Sequence, residues 1–240
     1  MASKERQINR WLNIESSFPT FITCLICNYY GKSEEYKKYI SNDIFNAGEI
    51  VRHSCPSCNL IFGDLRVLNL SSEEIKNDYE DTYSYYAESE TRYFILDSLN
   101  SLDIFKNKEL SYLDYGCGIG TMIPILTNMG YNITGFDKFV KHENIINNIE
   151  NLMFDVIYCN NLIEHLLSPI EDIKDILKNL KKNGYLIFIS DCLDEYKVEF
   201  THFHTFYYTG NSLNLLIEKL NLTKIELKDV GPSRVLVLQN

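Results

Sequence analysis

The chain has 240 residues, enough for one domain with a sizeable core and a smaller appendage. Its composition, 45% hydrophobic and 23% charged, is typical of a soluble globular protein, and no apolar run approaches the roughly 18 residues that cross a bilayer. A formal net charge of −10 disfavours nucleic acid as a partner, because nucleic acids are bound chiefly by Lys and Arg at their phosphates.

The N-terminal region carries two pairs of closely spaced cysteines. The first twenty residues lack the apolar centre of a signal peptide, so we expect a cytoplasmic protein whose cysteines are reduced thiols or metal ligands. Cys24 and Cys27 form the first pair, and Cys55 and Cys58 form the second. Two such turns can aim four sulfurs at one ion, which predicts a structural zinc site. Reduced core cysteines and a redox dithiol are the competing interpretations.

Residues 71–91 connect this predicted zinc-binding subdomain, residues 1–70, to the rest of the chain. Ser71 and Glu74 form a capping box, which predicts a helix after a strand and turn in LIFGDLRVL. The helix runs into a stretch crowded with tyrosines and acidic residues. This stretch is either an amphipathic surface helix or a lid whose phenols face a substrate, and the second interpretation makes Tyr83 a candidate catalytic residue.

The segment YLDYGCGIG, residues 112–120, is a strand pattern that runs into three glycines. Gly116, Gly118 and Gly120 let the chain turn into a helix while its backbone approaches a ligand, since glycine accepts positive φ and has no Cβ. Asp114 lies at the end of the strand, where its carboxylate can meet a cationic amino group. This pattern fits S-adenosylmethionine better than NAD, whose loop usually reads GxGxxG and seats a pyrophosphate that a carboxylate would repel. An ordinary strand-to-helix turn is the alternative.

Strand and helix patterns alternate from residue 92 onwards. Helices are predicted over 92–105, 121–129, 168–180 and 213–220. Strands are predicted over 111–115, 132–138, 154–159, 185–190, 223–229 and 234–238. The third helix starts with Pro169 in its first turn, and Lys181, Lys182 and Gly184 indicate its end. The alternation predicts a doubly wound, Rossmann-like α/β sheet over residues 92–240.

Asp137 ends the second predicted strand of this domain. It stands about 20 residues beyond the glycine loop, where a carboxylate can accept both hydroxyl groups of a ribose. Only 17 residues then separate Asp137 from Asp155, so a further helix and strand between them must be short.

These motifs together resemble the class I S-adenosylmethionine-dependent methyltransferases, over residues 92–240. The resemblance implies a cofactor site, in which Asp114 and the glycine loop hold the methionine end, Asp137 the ribose and residues 160–162 the wall beside the sulfonium. The cofactor residues so implied are Asp114, Tyr115, Gly116, Cys117, Gly118, Gly120, Asp137, Lys138, Asn160, Asn161 and Leu162. The short stretch after Asp137 leaves the adenine contacts unassigned.

The front of the chain is similar to zinc-containing methyltransferases that act on nucleotide-linked sugars. Those enzymes carry a histidine motif resembling HEHxxYF, where this chain has HFHTFYYT. By that resemblance His204 is the catalytic base and His202 its neighbour, while Phe203 replaces the glutamate, which favours O-methylation over C-methylation. Glu164 and His165 rank second as catalytic candidates. The implied acceptor is a small nucleotide-linked or glycan-precursor sugar, as in cell-surface polysaccharide synthesis.

Other functions stay open on the sequence alone. A zinc-knuckle rRNA methyltransferase is disfavoured by the net charge. A non-catalytic cofactor-binding scaffold would keep the cofactor residues and use the two histidines only as hydrogen-bonding loop residues. An NAD-linked dehydrogenase is disfavoured by the glycine spacing. No sequence feature sets the oligomeric state or decides whether oxygen, carbon or nitrogen is methylated.

Overall fold

The computed structural model describes residues 19–42, 48–83, 92–196 and 201–240, and for residues 72 and 79–83 it describes the backbone alone. The described residues fall into two compact units. The first is drawn from Met1–Ala87, Glu164–Pro169 and Cys192–Leu216. The second is drawn from Glu88–Ile163, Ile170–Asp191 and Ile217–Asn240. The first unit thus takes in two short segments from the region that the sequence assigns to the Rossmann-like domain.

The secondary structure of the described residues follows the alternation that the sequence predicts. The strands are β1 (Phe21–Thr23), β2 (Tyr30–Lys32), β3 (Lys37–Asn42), β4 (Glu49–Ser54), β5 (Ile61–Phe62), β6 (Ser111–Tyr115), β7 (Asn132–Phe136), β8 (Phe154–Asn160), β9 (Leu180–Ser190), β10 (Phe206–Tyr207), β11 (Thr223–Val230) and β12 (Ser233–Gln239). The helices are α1 (Leu65–Leu68), α2 (Ser72–Tyr83), α3 (Arg92–Asn100), α4 (Met122–Asn128), α5 (Pro169–Leu177) and α6 (Ser212–Lys219). No helix among these residues combines the length and the hydropathy needed to cross a bilayer.

The first unit is built on small antiparallel sheets. β1 pairs with β2, and a four-stranded sheet has the order β10-β5-β4-β3. The predicted strand in LIFGDLRVL is only β5, because Asp64 accepts a hydrogen bond from N of Arg66 and so caps α1. The capping box is confirmed: N of Ser71 donates to Glu74 Oε2 at 2.8 Å, and N of Glu74 lies 3.3 Å from Ser71 Oγ.

The second unit contains a six-stranded sheet with the order β11-β12-β9-β8-β6-β7. The four strands from β9 to β7 run parallel, and β12 adds antiparallel to β9 and β11. Buried aliphatic and aromatic side chains from α3, α4 and the central strands form one core. Because parallel strands end at the same edge, β6, β7 and β8 bring the residues that follow them together there. The mixed, Rossmann-like α/β fold predicted from the sequence is confirmed.

The predicted end of the helix after Pro169 is wrong. α5 ends at Leu177, and the residues read as its end belong to β9. The pairing of β9 with β8 jumps from Phe154–Leu180 to Val156–Tyr185, so residues 181–184 form a bulge. Lys181 Nζ pairs with Asp155 Oδ2 at 2.9 Å, and a Cβ at Gly184 would lie 2.8 Å from O of Lys181. The lysine and glycine signals therefore reflect strand pairing and close packing.

The short connection between β7 and β8 contains no helix in the described stretch 137–153. One bridge remains of a further parallel strand, between Phe136 and Ile146, where N of Ile146 donates to O of Gly135 at 2.9 Å. The short helix expected between Asp137 and Asp155 is thus absent from this described stretch, and a single bridge takes the place of the expected strand.

Candidate functional site

The loop after β6 requires glycine at the predicted positions. φ is +78° at Gly116, +57° at Gly118 and +73° at Gly120, in the left-handed region that other residues rarely adopt. A Cβ at Gly120 would also lie 2.5 Å from Cγ2 of Ile145. The N–H of Gly116 donates to O of Phe136 at 2.8 Å, which ties the loop to the end of β7. The backbone can therefore approach a ligand closely, and a side chain would close that approach.

Asp114 is a buried carboxylate at the end of β6. It is 5% exposed, and the hydroxyl of Tyr158 donates to its Oδ2 at 2.7 Å. Burial and the charge of Asp114 raise the pKa of Tyr158 well above its usual range, so this phenol stays a donor at any physiological pH. Tyr158 thus fixes the orientation of a carboxylate that can accept a hydrogen bond from a cationic amino group.

Asp137 joins the glycine loop to the turn after β7. Its Oδ2 accepts a hydrogen bond from N of Gly118 at 3.0 Å. Its Oδ1 accepts from N of Phe139 at 2.8 Å and N of Val140 at 2.9 Å. The carboxylate therefore holds loop geometry, a role that the sequence analysis did not assign to it.

Residues 160–162 lie at the end of β8 and just after it, and they reach the same loop. Asn160 ends the strand, and Asn161 has a φ of +47° and donates its N–H to O of Ile189 at 2.9 Å. Leu162 lies against the glycine loop, since a Cβ at Gly116 would be 3.0 Å from its Cδ1. The structure thus brings this predicted wall next to the predicted loop.

The remaining predicted cofactor residues line the same edge of the sheet. The ring of Tyr115 lies 5.3 Å from that of Phe136, and burial raises the pKa of Tyr115. The thiol of Cys117 is 3.8 Å from O of Gly118. Nζ of Lys138 lies 5.7 Å from the centre of the Phe139 ring. These side chains contact protein groups of the loop and its turn.

The four predicted metal ligands lie together in the first unit. The Sγ atoms of Cys24, Cys27, Cys55 and Cys58 are all within 4.8 Å of one another. Cys24 Sγ is 3.6 Å from Cys58 Sγ, and Cys27 Sγ is 3.5 Å from Cys55 Sγ. With Zn–S bonds of about 2.3 Å, the sulfurs of a tetrahedral site lie about 3.8 Å apart. The cysteines therefore fit a structural zinc ion.

The two cysteine turns have the same backbone conformation, and the residue that follows each pair explains it. Each pair is followed by an asparagine, Asn28 or Asn59, with φ of +62° and +63°. N of Asn28 donates to O of Cys24 at 3.0 Å, and N of Asn59 donates to O of Cys55 at 2.9 Å. Asparagine tolerates the left-handed region, so CxxCN marks a turn that aims both sulfurs inward. The cysteine spacing alone does not reveal the role of these asparagines.

Two of these thiols are held in their neutral form when no cation is present. Burial raises the pKa of the Cys55 thiol to about 11. The hydrogen bond with Cys58 and burial raise the pKa of Cys24 further above its usual value. Zinc would convert such thiols to thiolates, because the ion supplies the compensating charge.

Three of the predicted catalytic side chains meet in the first unit. Glu164, His165 and His204 each offer an oxygen or nitrogen atom, and these atoms lie within 4.8 Å of one another. The two imidazole rings meet edge to face, with 4.6 Å between their centres. Glu164 is fully buried. Such a group can move a proton, and its donor set also suits a divalent metal ion.

The two histidines of this group differ in their surroundings. His165 Nδ1 is 3.0 Å from O of Phe203, whereas His204 Nδ1 is 3.8 Å from Sγ of Cys192. Burial and the neighbouring His204 lower the pKa of His165 to about 3, so His165 is neutral at physiological pH and a weak base. His204 is therefore the better candidate for taking a proton.

The other two catalytic candidates are placed differently. His202 is buried, and its ring centre lies 4.0 Å from that of Phe203. Tyr83 is the last residue of α2, and its side chain lies outside the described residues.

Hydrogen bonds join the two segments that carry the histidines. N of Thr205 donates to O of Glu164 at 2.8 Å. The hydroxyl of Thr205 lies 3.0 Å from O of Glu164 and 3.0 Å from O of Leu166. Thr205 therefore fixes residue 164 next to the segment of residues 201–208.

Comparisons with known proteins give the family. The profile of a family described as a methyltransferase domain matches residues 86–227. A ubiquinone biosynthesis O-methyltransferase of Rickettsia akari is 31% identical over 33% of this chain and 39% of that protein. The corresponding protein of Rickettsia conorii is 30% identical over 33% of this chain and 34% of its own length. The match thus spans less than half of these relatives.

A solved structure shows the same fold. It is that of 1,6-didemethyltoxoflavin-N1-methyltransferase from Burkholderia thailandensis, with bound 1,6-didemethyltoxoflavin and S-adenosylhomocysteine. The TM-score is 0.57 at 13% identity, and the likeness covers 80% of this chain and 95% of that chain. Because the family profile matches more than half of its residues, the chain belongs to the methyltransferase domain family.

Proposed function

We propose that this enzyme transfers a methyl group from S-adenosylmethionine to a hydroxyl oxygen of a small, nucleotide-linked or glycan-precursor sugar. The two curated relatives are named as O-methyltransferases, which supports oxygen as the acceptor atom. The assignment of a sugar acceptor rests on the resemblance to zinc-containing sugar methyltransferases. The observation that supports this assignment is that the four cysteines and the segment with His204 belong to one unit.

On the cofactor side, we assign the ligand groups by their chemistry. Asp114 would accept a hydrogen bond from the amino group of the methionine end, beside the backbone of the glycine loop. Asp137 would accept from the ribose hydroxyls while it holds Gly118. Leu162 would line the wall beside the sulfonium.

On the acceptor side, His204 is the proposed base. It would take the proton of the acceptor hydroxyl, and S-adenosylmethionine would supply the methyl group to that oxygen and leave as the thioether. Alignment of oxygen and methyl is worth up to roughly 7 to 11 kcal/mol. A base adds about 10² to 10⁴-fold. Glu164 and His165 border His204, and His202 and Tyr83 are assigned to acceptor binding. The proposed zinc is structural.

The first test is titration calorimetry of the zinc-replete protein with S-adenosylhomocysteine, with NAD as control ligand. We expect micromolar binding of the first and no binding of NAD. Transfer of labelled methyl is then measured on nucleotide-linked sugars, with ribosomal RNA in parallel. If RNA were methylated and the sugars were not, the protein would be an RNA methyltransferase and the sugar proposal would be wrong. If the protein bound the cofactor but methylated neither substrate, a non-catalytic scaffold would be favoured.

Changing Asp137 to Ala should weaken binding of S-adenosylhomocysteine by at least about tenfold, because the change removes a ribose acceptor and one bond that holds Gly118. Titration calorimetry measures this change in affinity. Asp175→Ala is the matched control, since Asp175 pairs with Lys178 on the exposed side of α5. Equal affinity in the Asp137 and Asp175 variants would exclude Asp137 from the cofactor site.

A further inference from the structure

We propose that Arg52 is a positioning residue that holds the backbone of His204 in the place from which its imidazole takes the acceptor proton. The inference rests on the function proposed above. It concerns residues of the first unit alone.

Arg52 is a fully buried arginine in β4 whose donors reach the histidine segment. Its Nε and Nη2 both donate to O of His204, at 3.2 Å each. Nη2 also donates to O of Thr201 at 2.7 Å. Nη1 donates to Oγ of Ser41 at 3.3 Å, back on the neighbouring strand β3. The guanidinium therefore bridges the sheet and the histidine segment.

An aromatic ring also contacts the guanidinium. Cζ of Arg52 lies 5.3 Å from the centre of the Tyr207 ring, within the range of a cation–π interaction. Burying a guanidinium costs free energy unless its N–H groups donate hydrogen bonds. The buried Arg52 therefore suits this position because the histidine segment and β3 accept its hydrogen bonds.

Residues after His204 are held in another way. N of Gly63 donates to O of Thr205 at 3.0 Å, and β10 pairs with β5. N of Asn211 donates to O of Cys58 at 3.1 Å. These bonds come from the backbone of β5 and of the second cysteine turn. The carbonyl groups of Thr201 and His204 instead accept from a side chain, which a point mutation can remove without changing an imidazole.

A lysine cannot make the same set of contacts. The guanidinium offers donors on three nitrogens in a rigid fork, whereas an ammonium is a single nitrogen on a flexible stem. Arg52→Lys keeps the charge and loses the fork. Arg52→Met keeps most of the volume and loses both. This pair separates the hydrogen bonds from the packing.

The experiment compares these variants in the full-length, zinc-replete protein. We expect Arg52→Met to lower kcat by at least about tenfold, with S-adenosylhomocysteine affinity within about twofold of the wild type and zinc content unchanged. The kcat of Arg52→Lys should lie between those of Arg52→Met and the wild type. Arg66→Met is the control, since Arg66 pairs with buried Asp64 at 2.6 Å in the same unit. It should lower the melting temperature and spare kcat.

A double-mutant cycle shows whether Arg52 acts through His204. Because a positioning residue has nothing to position once the imidazole is gone, Arg52→Met should cause no further loss of kcat in a His204→Ala background. An unchanged kcat in Arg52→Met, or losses that add in the cycle, would overturn the proposal. A full kcat in His204→Ala alone would instead overturn the assignment of the base.

A spectroscopic readout keeps the test independent of turnover. Long-range ¹H–¹⁵N spectra resolve histidine rings, and the His204 signals are identified by their absence in His204→Ala. We expect Arg52→Met to shift or broaden these signals and to leave those of His142, in the second unit, unchanged. Unaltered His204 signals would refute the positioning role even if no acceptor were known.

Discussion

Changing Cys24 to Ser should remove zinc from the protein and unfold the unit that carries it. Cys24 is fully buried with its Sγ 3.6 Å from that of Cys58, and a serine hydroxyl does not ionise to replace a thiolate there. Structural zinc contributes about 10 to 16 kcal/mol in small metal-binding domains. That is comparable to the roughly 5 to 15 kcal/mol by which whole domains are stable. The loss of one ligand is therefore large enough to decide folding.

Metal analysis and thermal unfolding check this expectation together. The wild type should carry one zinc per chain and lose structure with a strong chelator, and Cys24→Ser should behave like the chelated protein. Cys159→Ser is the matched control, because Cys159 is also fully buried but lies in β8 of the other unit. A Cys24→Ser protein that melts like the wild type and retains its zinc would rule out the four-cysteine site.

Much of the second unit could be predicted because its signals are local. β6 has the predicted bounds, and the left-handed φ values fall on the glycines that the pattern requires. The error at Lys181 has a non-local cause. The pairing of β9 with β8 sets the conformation there, and no periodicity within residues 168–190 reports that partner strand.

The residues of the candidate site also differ in whether a local sequence signal reveals them. Its ligating residues carry chemistry in their own side chains, so Asp114 and the cysteines could be found from spacing. Tyr158 and Arg52 act through contacts with distant residues, and Arg52 lies 152 positions from His204 along the chain. A buried arginine in a strand pattern has no spacing rule. Only the fold shows which carbonyl groups it reaches.

Changing His204 to Ala should lower turnover by about 10² to 10⁴-fold, the usual contribution of a general base. His204 borders Glu164 and His165 within 4.8 Å, and the low pKa of His165, about 3, makes His165 a weak base. S-adenosylhomocysteine affinity should stay near that of the wild type, since His204 is assigned to the acceptor proton and is not one of the proposed cofactor residues. Single-turnover methyl transfer and calorimetry measure the two effects separately.

His204→Asn sharpens the test because its amide can replace Nδ1 of the imidazole near Cys192 but cannot take a proton. Asn and Ala variants should therefore be equally slow. Turnover restored by Asn would mean that His204 serves as a hydrogen-bonding group. Loss of a second metal ion from His204→Ala would mean that Glu164, His165 and His204 hold a cation, and the proton would then leave an acceptor bound to that ion.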